Sequence, residues 1–441
     1  MHSQPLTERI YAEFDATAAN YAAAPASLSQ RRAALANALS SGLPNARDEG
    51  FRYSQLRSLE TLKFSAVAAN ADATRLADVV LPPPLPGFTR LVYVDGRLCS
   101  ALCASDALAL AAETQSQGAT SQTSPAATAA VKPSGNSPAA RRFGLINAAF
   151  SVEPLRLNIA ATLAATQLEL IFVAATDGKA GASYPRICVQ MAAGSNVKIV
   201  ERHLDAGTLA TFTNAYLELA LGAGARCSHY RIQSHERKSI HLETIQAALN
   251  ADARLDMHSL HVGAASSRST VEVRLGGEAA SVAVYAAQVA DGSQVQDAQV
   301  TVEHAARAVS SVEIYRGIAS GRARIAFNGQ MHVGASAPGT STQQSLRGLL
   351  SGPDTECDIR PQLEIYTDDV RASHGATVGK LDDNMMFYLL SRGLDSATAQ
   401  SLLKWAFMAD VINRIDIAPL RRDAQHLLLG QVPGLSGEAL A

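Results

Sequence analysis

The sequence predicts a mainly β protein, a stacked solenoid flanked by helical regions, and three observations carry that expectation. From about Leu155 to Tyr366, short segments rich in Val, Ile, Tyr and Thr alternate with corners of glycine or other small residues. Four corners look alike: Met191–Val197, Leu221–Cys227, Leu249–Leu255 and Leu275–Ser281, with starts 30, 28 and 26 residues apart. Helical spacing of apolar residues occurs only outside this stretch. A β coil with one apolar face cannot bury it alone, and stacking at a near-constant period does so. An antiparallel sandwich would also show many short strands, and the period favours the solenoid over it.

Residues 1–112 read as a mainly helical region with a short strand segment. Ala33, Leu35, Leu39 and Leu43 follow a helical spacing that Gly42 and Pro44 end. The turn around Phe51, Arg52 and Tyr53 reads as a packed corner. Leu81–Gly87, with four prolines, is a stiff connector to a strand over Arg90–Val94, which turns at Asp95-Gly96. Residues 113–140 are Gln, Ser, Thr, Ala, Pro and Gly with almost nothing to build a core, so they read as a low-complexity linker or loop. The β core is assigned to residues 141–374.

The last part of that core, Pro361–Asp383, begins as a strand with Leu363, Ile365 and Val370 as its inward residues. Ser373-His374-Gly375 reads as the break that ends it, with His374 on a loop, and residues 375–441 are assigned to a helical domain. Asp382 and Asp383 precede an apolar run, as helix-starting residues do. Met386, Leu389, Leu390 and Leu394 share one helical face, and Ala399, Leu402, Leu403, Ala406, Phe407, Val411 and Ile412 share a second. A third helix is expected over Ala418–Leu429. These helices are expected to cap the solenoid's open end, where unpaired strand edges would otherwise be exposed.

Composition excludes several classes. A formal net charge of −2 gives no basic stripe for nucleic acid. No window approaches 18 uninterrupted apolar residues, the length needed to span a membrane. The polar start, Met1–Arg9, argues against a secretory signal. The cysteines (Cys99, Cys103, Cys188, Cys227, Cys357) are odd in number and scattered, which fits a reducing cytoplasmic setting.

Short motifs fail in detail. Gly375–Leu381 resembles a phosphate loop, but its first glycine is one residue too close and Leu381 replaces the hydroxyl residue. Asp177-Gly178-Lys179 and Gly222-Ala223-Gly224 are likewise incomplete, so no ATPase site is expected. There is no Gly-x-Ser-x-Gly elbow. His229, His235 and His241 are six apart and His258 and His261 three apart, without a HExxH motif or matching cysteine pair; a solvated polar face is the expectation. Cys357 and His374 flank the last strand, and a thiolate with an imidazole suits iron, copper or zinc, although a buried thiol and a hydrogen-bonded histidine is the simpler outcome. The pairs Asp368-Asp369 and Asp382-Asp383 would suit a β-helix carbohydrate-active enzyme working with two carboxylates, but neighbours on a strand point to opposite faces. A homomeric structural solenoid is a third reading.

Leu363–Gly379, followed by Leu381-Asp382-Asp383, Met386–Leu389, Ser391–Leu394 and Ala399–Phe407, resembles the SufD branch of the SufB/SufD family of the SUF iron–sulfur cluster assembly system. Gly50–Leu56 and Gly321–Gly329 are similar to weaker elements of that family. The resemblance implies a right-handed parallel β-helix between helical regions. It also implies a non-catalytic scaffold that pairs with a SufB-like subunit and docks a SufC-like ATPase, with no cofactor held stably by the isolated chain and an iron–sulfur cluster held transiently in the complex. By position, His374 matches the family histidine implicated as a cluster or iron ligand at the SufB interface. Phe387, Tyr388, Arg392, Gly393, Leu403 and Phe407 fall in the region that docks SufC. Gly375 fits SufD, because the matching SufB position carries Glu. Ala372 stands where a cysteine is common, Gly348 where an asparagine is expected, and the 113–140 segment is longer than usual. An open solenoid edge could also meet a second copy of the chain, giving a self-dimer when isolated.

Overall fold

A computed structural model describes residues 5–18, 26–40, 42–45, 48–51, 57–62, 64–66, 81–104, 138–161, 165–175, 181–207 and 209–432. Most of the 113–140 linker, the segment Arg52–Leu56 and the motif at Asp177–Lys179 lie outside the described residues.

From Asn196 onward the chain alternates between two ten-stranded sheets, one strand in each per coil. One sheet runs through Thr89–Val94, Thr166–Ala175, Asn196–Ala206, Arg226–His235, Arg254–Gly263, Ser281–Ala290, Ser310–Ser320 and Thr340–Ser351 to Val370–Gly379. The other runs through Thr211–Leu221, Ile240–Leu249, Ser266–Leu275, Val295–His304 and Arg324–Val333 to Glu356–Ile365. Among the described residues the pairings are parallel, except where Thr89–Val94 meets Arg97–Leu98. This is the parallel solenoid that the corner period predicts, not the antiparallel sandwich.

The four look-alike corners stack along one edge, and a ladder of backbone bonds explains their composition. The amides of Gly194, Gly224, Asp252, Ala279, Ala308 and Gly339 donate to the carbonyls of Ala223, Ala251, Glu278, Arg307, Pro338 and Asp369 at 2.8–3.1 Å. Each donor residue has a positive φ, between 54° and 74°. That conformation favours glycine and costs other residues about 1–2 kcal/mol, so the corners are small or turn-forming but not uniformly glycine. The less regular corner at Ser320–Arg324 belongs to the opposite edge, where the chain passes back between the sheets.

Inside the coils, Val197, Ile199, Leu217, Leu219, Leu221, Ile245, Leu255, Val273 and Val300 form a continuous apolar core. The outer faces are covered as well. Helices α1 (Leu6–Ala16), α2 (Leu28–Leu39), α3 (Arg57–Thr61) and α4 (Pro138–Phe150) precede the coils, and Phe14, Leu35, Phe143 and Phe150 pack with Phe212, Ile240 and Leu242 of the second sheet. After the coils come α5 (Asp383–Ser391), α6 (Ser396–Ile412) and α7 (Ala418–Gln431). Met408, Val411, Ile412, Leu420, Ala424 and Leu428 lie over Val200, Ile232, Leu260, Val289 and Ile318 of the first sheet. Ion pairs from Arg202 to Asp423 and Lys198 to Asp416, both 2.7 Å, and from Arg316 to Asp410 fix that seat.

Two expectations are corrected. The tail helices do not cap the solenoid: α6 and α7 spend their apolar stripes on the outer face of the first sheet, and α5 has no buried residue. Nor does the strand break at Ser373-His374-Gly375, since Val370–Gly379 is one continuous strand and Gly375 keeps extended backbone. The helical tail begins at Asp383, where the Asp382 carboxylate accepts from the amides of Asn384 and Met385 at 2.8 and 3.0 Å, the expected cap.

Candidate functional site at the open end of the solenoid

The last coil, Glu356–Ile365 and Val370–Gly379, stands at the end of both sheets. Two strand edges are therefore presented side by side, a template for another chain's backbone. Register shows what that end exposes. Ile199, His229, Met257, Val284, Glu313, Gln344 and His374 occupy one column of paired positions through the first sheet. Ile199, Met257 and Val284 belong to the interior core, so the column faces the interior and His374 is an inward-facing residue with no coil above it. It is exposed on the strand and not on a loop. Beneath it the Gln344 amide donates to the Glu313 carboxyl at 2.6 Å and to the Gly329 carbonyl at 3.0 Å. Burial pushes the Glu313 carboxyl up to about 8, partly opposed by the Gln344 bond.

Ile365, Tyr366 and Val378 in this coil and Met385, Phe387, Tyr388 and Leu390 on α5, which follows it directly in the chain, dominate the large exposed apolar side chains of the described residues; Phe387 is 74% and Tyr366 61% accessible. An apolar patch of this kind beside open strand edges is the composition of an interaction surface.

The expected partner-binding residues separate into two groups. Phe387 and Tyr388 are exposed on α5, and the Arg392 guanidinium lies 5.2 Å from the Tyr388 ring centre. Gly393 ends that helix with φ of 89°. Leu403 and Phe407 are half-buried on α6, and Phe407 packs against the layer between helices and sheet.

The Cys357–His374 pairing is not brought together as a ligand pair. Cys357 faces the interior beside Gly348, whose strand partner is Val378, four residues beyond His374. A Cβ on Gly348 would stand 2.2 Å from the Cys357 sulfur, so this glycine leaves room for that side chain. Burial raises the Cys357 thiol to about 12, which leaves it protonated and a poor soft ligand. Asp368 and Asp369 are exposed in the turn between the last strands, and Asp382 is engaged as a helix cap.

The histidines expected on a solvated face are buried. His229, His235, His241 and His261 lie in the interior with Glu201, Arg231 and Glu243, and His258 stacks on Tyr230 beneath the tail helices, 4.8 Å between ring centres. Sequence reasoning missed this interior polar strip, together with Glu313 and Gln344. Its one available signal was the spacing by six, which is also the spacing of an outward face.

Fold and site thus define a parallel solenoid that ends in an exposed, interaction-competent coil with an imidazole at its mouth. The family model "SUF system FeS cluster assembly, SufBD core domain" matches residues 172–407, more than half of the chain, and the chain belongs to that family. It is 28% identical over 414 residues to the iron–sulfur cluster assembly protein SufD of Escherichia coli, covering 91% of this chain and 92% of that protein. It is 27% identical over 392 residues to a SufBD family protein of Synechocystis, covering 86% and 85%. It is also 26% identical over 252 residues to the chloroplastic protein ABCI7 of Arabidopsis thaliana, covering 56% and 53%. No helix among the described residues is long and apolar enough to cross a membrane.

Proposed function

We propose that this chain is a non-catalytic scaffold subunit of a cytoplasmic SUF assembly complex, paired through its open coil with a SufB-like subunit. The observation that carries the reading is the termination of both sheets in one bare coil, with His374 at the interior mouth and exposed apolar side chains on the same coil and on α5. Parallel edge strands bind a partner by continuing its sheets. A neighbouring solenoid docked there would also bury His374 at the junction, where an imidazole from this side could complete iron coordination from the other. The cluster is cargo held in the complex and not a resident cofactor of the isolated chain. The exposed α5 face, with Phe387, Tyr388 and Arg392, and the adjoining part of α6 are the proposed dock for a SufC-like ATPase, while Leu403 and Phe407 support that dock from beneath.

Co-expression with SufB- and SufC-like partners tests the reading. The expected result is a stable complex that carries iron and sulfide, lost in SufB pairing when Val378→Asp is introduced. The variant His374→Ala should assemble the same complex with reduced cluster loading. A chain that ignores both partners, or unchanged loading in the His374 variant, overturns the corresponding part. Self-pairing of the isolated chain through the same coil is the competing outcome at that edge, detected by sizing.

A further inference from the structure

The interior of the early coils holds a second constellation, remote in the stack from His374. His203, His235 and His241 are fully or almost fully buried, and one ring nitrogen of each lies within 4.8 Å of the others. Hydrogen bonding fixes which nitrogens are occupied. His235 Nδ1 stands 2.9 Å from Asp205, whose carboxylate also accepts from Thr211, Ser239 and the Glu236 amide at 2.6–2.7 Å. A carboxylate with so many donors is ionised, so His235 Nδ1 carries the proton that it donates. His241 Nε2 is 2.9 Å from Glu243, which pairs with Arg231 Nε at 2.7 Å. His203 Nε2 is 2.7 Å from Glu201, which lies 3.2 Å from the Arg231 guanidinium and 2.9 Å from His229.

His235 Nδ1 and His241 Nε2 therefore spend their N–H groups on carboxylates, whereas His203 Nε2 lies between Glu201 and the Arg231 guanidinium, 3.1 Å away. His235 Nε2 and His241 Nδ1 face each other at 3.1 Å, a contact of two lone pairs unless a positive centre lies between them. His203 Nδ1 has no hydrogen-bond partner, and its ring is held by stacking on Phe172 at 5.0 Å. Glu201, Asp205 and Glu243 thus stand behind the three rings, with Arg231 as the guanidinium that pairs with Glu201 and Glu243.

We propose that His203, His235 and His241 form a three-imidazole site for one divalent first-row transition ion. Two nitrogens bound to one zinc at about 2.0–2.1 Å and tetrahedral angles are about 3.4 Å apart, close to the His235–His241 separation. The carboxylate behind each imidazole is the outer shell that such ligands require. A fourth position remains for water. Zinc and ferrous iron both suit imidazole donors.

The test uses the full, untagged chain, stripped with a chelator and titrated calorimetrically with Zn2+ and, without oxygen, with Fe2+. Co2+ reports geometry through its visible absorption. One ion per chain is expected, with affinity reduced at least 100-fold in His203→Gln and His241→Gln and unchanged in His374→Ala, which separates this site from the proposed cluster site. Circular dichroism checks that the variants fold. X-ray absorption of the zinc-loaded wild-type chain needs no variant and should show a shell of nitrogen ligands at the zinc–imidazole distance. Failure to bind one ion, sulfur in the first shell, or binding lost in His374→Ala but kept in the folded His241 variant overturns the proposal.

Discussion

The early coils and the last coil place polar residues on the same inward face, yet treat them in opposite ways. In the early coils, Glu201, Arg231 and Glu243 are sealed from water, and each charge is met by an opposite charge or an imidazole. In the last coil His374 continues the neighbouring inward column, the one that holds the buried His229, and is bare. The difference lies in what is stacked above, not in residue type. In a solenoid, inward-facing is a property of register, whereas burial is a property of having a next coil. The final coil thus has the register of an interior surface with no coil stacked on it.

Removing the same guanidinium from the two regions should break the comparison most sharply. Arg231→Ala strands Glu201 and Glu243 in the interior, and breaking a buried pair in this way costs about 3–5 kcal/mol. Arg392→Ala, at the exposed end of α5, should stay within about 0.5 kcal/mol of wild type. Urea unfolding of the two variants measures both. Comparable losses would mean that the interior strip is hydrated.

Next in size is Glu313, which stands between the regions. Its pKa of about 8 lies above the ordinary carboxylate value because burial disfavours the charge. The folded state keeps a proton that the unfolded state has released, so this residue's stabilising proton is fully present below about pH 4 and lost as pH rises towards 8. Each pH unit in that window costs about 1.4 kcal/mol at full difference. Glu313→Gln keeps the acceptor for Gln344 and cannot titrate. The stability of the variant relative to wild type should therefore rise between pH 5 and 8, a difference from which the slopes of Glu272, raised by burial to about 7, and of the buried histidines, lowered by burial, cancel. Melting temperatures across that range decide it, and identical slopes would show that Glu313 is ionised.

What was legible in the sequence follows from the same contrast. The corners announced themselves because left-handed backbone restricts composition, and Asp382 because a cap must sit at a fixed offset from its amides. The interior strip did not, because alternation records only that two faces differ. At His229 and His235 the polar side faces in, and the outward face, with Tyr230 and Ile232, is apolar because the tail helices cover it. A strand buried on both faces gives no water-facing reference. The last strand was misread as a break for a related reason. Arg371-Ala372-Ser373-His374-Gly375 has the polarity of a loop because no further coil of the chain is stacked on it. The resemblance singles out His374 by position, but its inward register emerged only from the pairing.

Two glycines sharpen the comparison at a smaller scale. At Gly263, φ is 78° and an added Cβ would stand 2.0 Å from the His235 carbonyl of the coil before it. Gly263→Ala should cost about 2 kcal/mol or more. At Gly375 an added Cβ meets nothing within 4 Å, so Gly375→Ala should leave the melting temperature of the isolated chain nearly unchanged. The smallest effect on stability is expected at His374 itself. His374→Ala removes an exposed side chain, and nothing around it needs to repack, so the isolated chain should unfold within about 0.5 kcal/mol of wild type. The same substitution in a complex with a SufB-like partner should behave like an interior one, because the docked coil turns the open column back into a core. A double-mutant comparison of the complex and the free chain measures that change directly. If His374→Ala is equally silent in both, the open coil is not the face that the partner covers.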